Sequence, residues 1–516
     1  MRTAAFDREQ IRAWEQRWFA QANSSYGLMQ QAAWQMARAI VQQQQGQPQA
    51  QPLISAHSHN THLPPAYHRT GSGICCAGIW CGTGNNGGDG WLIAAYLAQA
   101  GWTVWVYESQ APHTASARLA KDYALQQSIQ VYFNTEQLPA ADVQVDALFG
   151  IGANRSLSAA DQAVIATFNQ QIGYKIAIDM PSGIDANSGT VLGQACEVDL
   201  TLTVLGYKVG LFTGQGAAYR GEVRLIELIP VDHLLQPVAY LDQHVVSLPK
   251  RRKTSHKGSN GHVLVVGGDE NMGGAAMMAA EAALAVGAGK VTLLTHHRHH
   301  SAALSRSPNL MTLAIPKQDQ ITPQFAEQVT HGIDCVVIGV GLGREQWGKA
   351  VWQAFLPLLQ SGQIQQVIID ADALWHLADE ISLDSQALEH WSLTPHPGEA
   401  ARLLGNSTSA IEHDRVAAIK QLKQRYGGNW VLKGAGSLTL DQNELHICTL
   451  GNAGMATAGM GDILAGMAGG LRAQFAALPL HQIVALHAAA GDLLAERGER
   501  GLQATEMLGV LKQVVN

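Results

Sequence analysis

Twice along this chain a short apolar run ends in glycine or aspartate, a helix-length segment follows, and another apolar run begins. In the first series GICCAGIWCG (73–82) reads as a buried strand and GTGNNGGDG (82–90) as a Gly-rich turn. WLIAAYLAQAG (91–101) reads as a helix and TVWVYE (103–108) as the next strand. VDALFGIG (145–152), YKIAIDMPSG (174–183) and LTLTVLGYKVG (200–210) supply further strands. Short apolar strands alternating with helices bury themselves as a parallel sheet with helices on both faces. The expected fold class is α/β. Ligands in such sheets sit beyond the carboxyl ends of the strands, where these turns fall.

A second series starts after HVVSLPKRRKTSHKGSN (244–260), whose Pro, turn formers and basic run Lys250–Lys253 read as a solvated linker. Two domains are expected, at 1–243 and 244–516, which suits a chain of 516 residues. GHVLVVGG (261–268), VTLLT (291–295), DCVVIGVGLG (334–343), QVIIDADAL (366–374) and WVLKGAG (430–436) read as strands, and MMAAEAALAVGAG (277–289) as a helix. SLTLDQNELHICTL (437–450) reads as a hairpin turning at Asp441–Asn443, and NAGMATAGMGDILAGMAGGL (452–471) as a Gly-rich loop entering a helix. No repeat relates the two halves.

The first 45 residues read as helix, with Ile11, Trp14, Trp18 and Phe19 at helical spacing and a second apolar face from Leu28 to Val41. VQQQQGQPQAQP (41–52) reads as a polar loop. His57, His59, His62 and His68, and again HHRHH (296–300), read as solvated loops rather than metal sites, because no regular spacing holds the imidazoles. A chain that is 47% hydrophobic and 15% charged forms large buried cores. Its net charge of −7 argues against a dedicated nucleic-acid binder. Six cysteines without a C-x-x-C pair read as reduced, buried thiols. No uninterrupted apolar run reaches the roughly 20 residues of a membrane span, and the N-terminus lacks an apolar leader. A cytoplasmic protein with small-molecule partners is expected, without membrane or nucleic acid.

The chemistry gathers at the strand ends. Gly82-x-Gly84-x-x-Gly87 opens a helix, and Glu108 ends the next strand, which taken literally is a dinucleotide fingerprint with a ribose-binding acid. The same loop carries Asn85, Asn86 and Asp89, more polar groups than a phosphate turn needs. They suggest a ligand with several hydrogen-bonding groups, or a hard cation beside one; the bland alternative is a capped tight turn. Asp146 and Asp179 also close strands, and Asp179 is followed by Pro181-Ser182-Gly183, a good place for a general base.

In the second half, Ala458-Gly459-Met460-Gly461-Asp462 begins a helix. Small residues there open backbone N–H groups to an anion, and an aspartate just inside can take a proton from a hydroxyl attacking a phosphoryl group. Lys433-Gly434-Ala435-Gly436-Ser437 follows a strand and would cradle a nucleotide. Thr394-Pro395-His396-Pro397-Gly398-Glu399 sets a histidine in a rigid turn, and Asp370-Ala371-Asp372 ends a strand with two carboxylates. A sugar- or vitamin-type kinase is the alternative these residues leave open.

GTGNNGGDG, DALFGIG, IDMPSGID and LGYKVGLFTGQG together resemble the NAD(P)H-hydrate epimerase family over most of residues 10–230. The resemblance implies a Rossmann-like three-layer sandwich that interconverts the R and S forms of hydrated NADH or NADPH. It implies contacts to the hydrate from Asn85, Asn86, Gly87, Gly88 and Asp89, and from Gly150, Ile151, Gly152, Ala153, Asn154, Arg155 and Ser156. It further implies a potassium ion on Asn86, Asp146 and Ser182, and Asp179 as the acid/base. Tyr207 stands before Lys208 where the family usually has Pro.

HKGSNGHVLVVGG, GVGLG, DADAL, TPHPGEAARLLG, LKGAGS and NAGMATAGMGDILAG resemble the ADP-dependent NAD(P)H-hydrate dehydratase family over nearly all of residues 250–516. This implies a ribokinase-like domain in which Ala275, Gly341, His396 and Asp462 meet the hydrate, with Asp462 catalytic. Lys433, Gly434, Ala435, Gly436, Ser437 and Gly461 would hold AMP or ADP, with Mg2+ accompanying the ADP co-substrate. Val340, Ser437 and Met460 replace a usual Pro, Thr and Thr. Both resemblances in one chain imply sequential epimerisation and dehydration, and a homo-oligomer is expected.

Overall fold

The protein is described here by a computed structural model covering residues 2–44, 75–315, 320–380 and 388–516. The histidines at 57, 59, 62 and 68 and most of the 41–52 loop lie outside the described residues. The chain divides into two compact units, Met1–Tyr240 and Leu241–Asn516. That division falls just before the 243/244 change of character, because Asp242 is bound by His446, Thr449 and His481 of the second unit.

In the first unit seven strands form one all-parallel sheet. Their order is Gln130–Tyr132, Thr103–Glu108, Cys76–Cys81, Val143–Ala147, Tyr174–Ile178, Leu200–Val204 and Glu222–Ile226. Cys76–Cys81 is the third strand in space but precedes the other six along the chain, so the winding direction reverses beside it. A crevice at that reversal is where such sheets take ligands. Helix Asn85–Gln99 starts six residues earlier than WLIAAYLAQAG suggests, so Asn85 to Asp89 form its first turn. The glycines permit this through close packing: a Cβ on Gly87 would lie 1.9 Å from the Gly82 carbonyl oxygen.

The N-terminal 44 residues are not all helix. Thr3–Phe6 is a strand paired in parallel with Tyr207–Lys208, ahead of helices Arg8–Phe19 and Ser25–Gln44. A four-residue apolar run cannot announce such a pairing, because its partner lies some 200 residues away in sequence. Trp80, Trp91, Ile93, Val106 and Ile178 are fully buried around the sheet.

In the second unit nine strands are ordered Met311–Ile315, Lys290–His296, His262–Val266, Cys335–Ile338, Gln366–Ile369, Trp391–Leu393, Asn429–Leu432, Leu438–Asp441 and Glu444–Cys448. The first seven run parallel and the last two form an antiparallel hairpin. Its turn is at Gln442–Asn443, both left-handed (φ 48° and 66°), which matches the twist that tight hairpins require. Helices Gly273–Ala285 and Met460–Gln474 pack on each other through alanine and glycine, with Gly466 against the Ala279 backbone. No helix of the described residues is long and apolar enough to cross a membrane.

Cys81, Cys196, Cys335 and Cys448 are buried free thiols, whereas Cys75 and Cys76 are only partly buried at the start of their strand. Of HHRHH, His299 Nε2 meets the Asp269 carbonyl at 2.9 Å and His300 Nδ1 meets Thr312 Oγ1 at 2.9 Å. The segment is short helix rather than loop.

Candidate active sites

The first site is built at the strand reversal. Asp179 follows strand Tyr174–Ile178 in a left-handed conformation (φ 68°), a strained geometry for a residue with a side chain. Its carboxylate is tied on one side to the ammonium of fully buried Lys208 and on the other to the Ile151 N–H at 3.3 Å. Lys208 also donates to Thr203 Oγ1 (3.0 Å) and to the Val204 carbonyl (2.7 Å), so all three of its protons are used. Lys208 thus pins Asp179 in place.

Asp146 and Ser182 form a second, fully buried knot. The Ser182 N–H donates to Asp146 Oδ2 at 2.7 Å and its hydroxyl donates to Oδ1, while the Phe149 N–H donates to Ser182 Oγ at 2.8 Å. Burial pushes the Asp146 carboxyl above its ordinary range against the pull of these bonds. Asn86 faces the same region: a Cβ on Gly150 would lie 3.1 Å from both Asn86 Oδ1 and Asp179 Oδ2. Asn86 Nδ2 is buried without a partner among the described residues. The knot's oxygen donors, a carboxylate and a hydroxyl, have the chemistry a hard cation takes.

The other residues of this site divide in two. Asn85 accepts from Thr114 at 2.7 Å and is turned away as part of a helix cap. Gly87 and Gly88 are buried in packing, while Asn154, Arg155 and Ser156 are exposed at the rim. Burial, then Asp179 and Glu15, pushes Asp89 well above the carboxylate range. Glu108 cannot serve as a ribose-binding acid, because Lys121 occupies both its oxygens at 2.7 Å.

Two contributors escape sequence reasoning. Arg8, nearly buried, donates to the Ile151 and Ala153 carbonyls and to Asp185, which holds the 150–156 turn in shape. Glu15 is raised to about 7, first by burial and then by Asp179. A signal for Glu15 exists: it lies four residues after Ile11 and beside Trp14, both buried on the inward side of the helix.

The second site centres on Lys433. Its ammonium lies 2.7 Å from Asp370 Oδ1 and 3.9 Å from Glu399 Oε2. Burial alone would lower Lys433, but Asp370 and Glu399 outweigh it and the net shift is upward. A Cβ on Gly461 would fall 3.2 Å from that ammonium, so the start of helix Met460–Gln474 sits directly over the pair. Asp462 is raised to about 7 by burial and then by Asp370, with Lys433 opposing. A carboxyl poised there can accept a proton near neutral pH.

His396 caps helix Pro397–Leu404, its Nδ1 accepting from the Gly398 N–H at 3.0 Å and the Glu399 N–H at 3.3 Å. That assigns its proton to Nε2, and burial followed by Lys433 lowers its pKa. Asp372 is spent on the Gly343 N–H (2.9 Å) and Arg344 (2.8 Å), so of the DADAL pair only Asp370 faces Lys433. Ala275 and Gly341 pack together, a Cβ on Gly341 falling 3.1 Å from Ala275 Cβ. Gly434 to Ser437 form a tight turn closed by the Ser437 hydroxyl donating to the Gly434 carbonyl at 3.0 Å. Met460, where a hydroxyl is usual, is buried in the apolar core. Arg415 was not foreseen: fully buried, it donates to the Leu432 and Lys433 carbonyls at 3.1 Å and supports that turn.

Residues 25–210 match the family model described as YjeF-related protein N-terminus, and residues 263–513 match NAD(P)H-hydrate dehydratase. The chain is 39% identical over 452 residues to the bifunctional NAD(P)H-hydrate repair enzyme Nnr of Coxiella burnetii, covering 85% of this chain and 90% of that protein. It is 38% identical over 444 residues to the Nnr of Vibrio cholerae, covering 83% and 86%. A solved ADP/ATP-dependent NAD(P)H-hydrate dehydratase of Bacillus subtilis, co-crystallised with ATP/Mg2+, is similar at 25% identity with a TM-score of 0.44, covering 52% of this chain and 93% of that one. With its two sites on two sheets and these relatives along most of its length, the chain belongs to the family of bifunctional NAD(P)H-hydrate repair enzymes.

Proposed function

We propose that the first unit epimerises the R and S hydrates of NADH and NADPH, and that the second dehydrates the S form at the expense of ADP, giving AMP and phosphate. Hydration of the ring destroys the cofactor as a hydride donor, so the two steps together restore it. The observation that carries the reading is Asp462 at the start of its helix, raised to about 7 and facing a lysine-bearing nucleotide turn.

In the second unit Asp462 takes the proton of the ring hydroxyl, whose oxygen attacks the β-phosphorus of ADP. The bond from that phosphorus to the AMP oxygen breaks, and AMP leaves. The carbon–oxygen bond of the ring then breaks as the ring nitrogen supplies its electron pair, releasing phosphate and leaving a ring iminium, and loss of a proton from the adjacent ring carbon to solvent gives the dihydronicotinamide. Lys433, Gly434, Ala435, Gly436, Ser437 and Gly461 hold the diphosphate; a lysine with backbone amides suits a Mg2+-bound nucleotide. Ala275, Gly341 and the Nε2–H of His396 face the hydrate.

In the first unit Asp179, held by Lys208, serves as the acid/base while the bond from the hydroxyl-bearing ring carbon to the ring nitrogen opens and re-forms on the other face, and the turns 85–89 and 150–156 hold the nucleotide. Asn86, Asp146 and Ser182 would hold potassium, which supplies positive charge beside the nucleotide. The free thiols and composition support a cytoplasmic setting. The test is incubation with a mixed R/S hydrate and ADP. The dihydronicotinamide absorbance should return in full; accumulation of a stable phosphorylated hydrate, with ATP as donor and no return of absorbance, would point to an ordinary kinase.

A further inference from the structure

Away from the groups assigned to either reaction, the second unit gathers two histidines and a carboxylate from three separate elements. Asp242 Oδ1 lies 3.0 Å from His446 Nδ1 and 3.0 Å from His481 Nδ1. The two rings stack, with centroids 3.6 Å apart and planes 15° from parallel. One potential ligand atom from each of the three residues lies within 4.8 Å of the others, and no other such trio occurs among the described residues. We propose that Asp242, His446 and His481 form a binding site for a divalent transition metal of the zinc class.

The scaffold is fixed before any ion arrives. The Asp242 carbonyl accepts from the Thr449 N–H at 3.1 Å and from its hydroxyl at 3.0 Å. His446 sits in strand Glu444–Cys448, paired opposite Thr439. His481 is in the first turn of helix Leu480–Ala495, whose leading N–H is held by Asp441 Oδ2 at 2.9 Å. The side chains are 13%, 4% and 17% exposed for Asp242, His446 and His481, so the trio is shielded yet reachable.

The donor chemistry selects the ion. Two imidazole nitrogens and one carboxylate suit zinc, cobalt or nickel, whereas calcium and magnesium take oxygen alone. Metal bonds of about 2.0–2.1 Å place tetrahedral ligand atoms about 3.3 Å apart, near the 3.0 Å that separates Asp242 Oδ1 from each Nδ1. Three protein ligands leave a fourth position for water. Among the described residues Asp242 Oδ2 is buried without a hydrogen-bond partner, an oxygen that a cation can satisfy. Glu444 Oε2 lies 3.8 Å from His446 Nε2, on the side where a carboxylate orients a ligating histidine. A metal here would clamp the Leu480–Ala495 helix to strands Ala239–Asp242 and Glu444–Cys448.

The test uses the full chain, stripped with a chelator and titrated with Co2+ alone. The histidine-rich stretches at 57–68 and 296–300 offer competing ligands, so the readout is the difference between parent and variants. The parent should bind one equivalent more than His481→Ala or Asp242→Asn, with the intense visible bands of tetrahedral cobalt attached to that equivalent, and added Zn2+ should raise Tm only in the parent. Equal stoichiometry and equal spectra in parent and variants would overturn the site. Should His481→Ala fold poorly, imidazole NMR of the parent decides: Zn2+ must shift the signals of both His446 and His481, and unshifted signals would overturn it equally.

Discussion

Each unit sets a lysine against an aspartate at a strand end, and the two pairs are wired differently. In the first, Lys208 is fully buried and binds Asp179, the proposed base, directly. In the second, Lys433 is partly exposed and binds Asp370, leaving Asp462 as a neighbour without its own cation. A base pinned by a lysine is held in position, as suits proton transfer to and from a fixed nucleotide. A base that is buried and then left beside a second carboxylate is raised toward neutrality, as suits taking a proton from a hydroxyl and keeping it through phosphoryl transfer. The same residue types therefore serve two reactions, according to which carboxylate receives the lysine.

The comparison breaks most readily at Asp462. Asp462→Asn should cut ADP-dependent dehydration by roughly 10²–10⁴-fold while R/S interconversion continues at the parent rate. Dehydration within threefold of the parent would remove Asp462 from the reaction. The lysines come next. Lys208→Met leaves Asp179 buried without its partner and should cost about 3–5 kcal/mol in the first unit's unfolding, with epimerisation lost. Lys433→Met leaves Asp370, 1% exposed, without its partner and should cost the second unit stability as well, with the KM for ADP raised; denaturant titration with steady-state kinetics reads both.

Replacing potassium with a bulky organic cation should slow epimerisation and leave dehydration of pure S-hydrate unchanged, if Asn86, Asp146 and Ser182 hold the ion. The pH response is the finest distinction. With Asp462 at about 7 and active as the carboxylate, dehydration should rise about tenfold per pH unit below that value and level off above it. The stability sign is the reverse. A folded pKa above the ordinary 3.8 means the folded state binds the proton more tightly, so this contribution is full below about 4 and is lost as pH rises toward 7. Asp462→Asn should therefore raise Tm at neutral pH and leave it unchanged in acid.

Much of this arrangement was legible in the residues. Apolar runs ending in glycine mark the parallel strands, and the hairpin turn at Gln442–Asn443 is written in its turn formers. What was not legible depends on long-range pairing. Nothing local in TAAF tells that it will pair with Tyr207–Lys208, and nothing in Arg415 tells that a helical arginine will turn inward to support the Lys433 turn. Glu108 misled because a carboxylate at the right spacing carries no sign of the Lys121 that neutralises it. The Asp242–His446–His481 group joins residues some 200 positions apart, beyond any motif.

We expect the two carboxylate sites to act in sequence, with the hydrate exchanging between them through solution. Asp179→Ala and Asp462→Asn should be tested alone and mixed, on racemic hydrate with ADP, under conditions where spontaneous epimerisation is slow. Asp179→Ala alone should recover the S half quickly and then stall, and Asp462→Asn alone should recover almost nothing. The mixture should recover the whole, since one protein supplies the epimer that the other consumes. Complete single-phase recovery by Asp179→Ala alone, or a mixture that still stalls at half, would contradict the account.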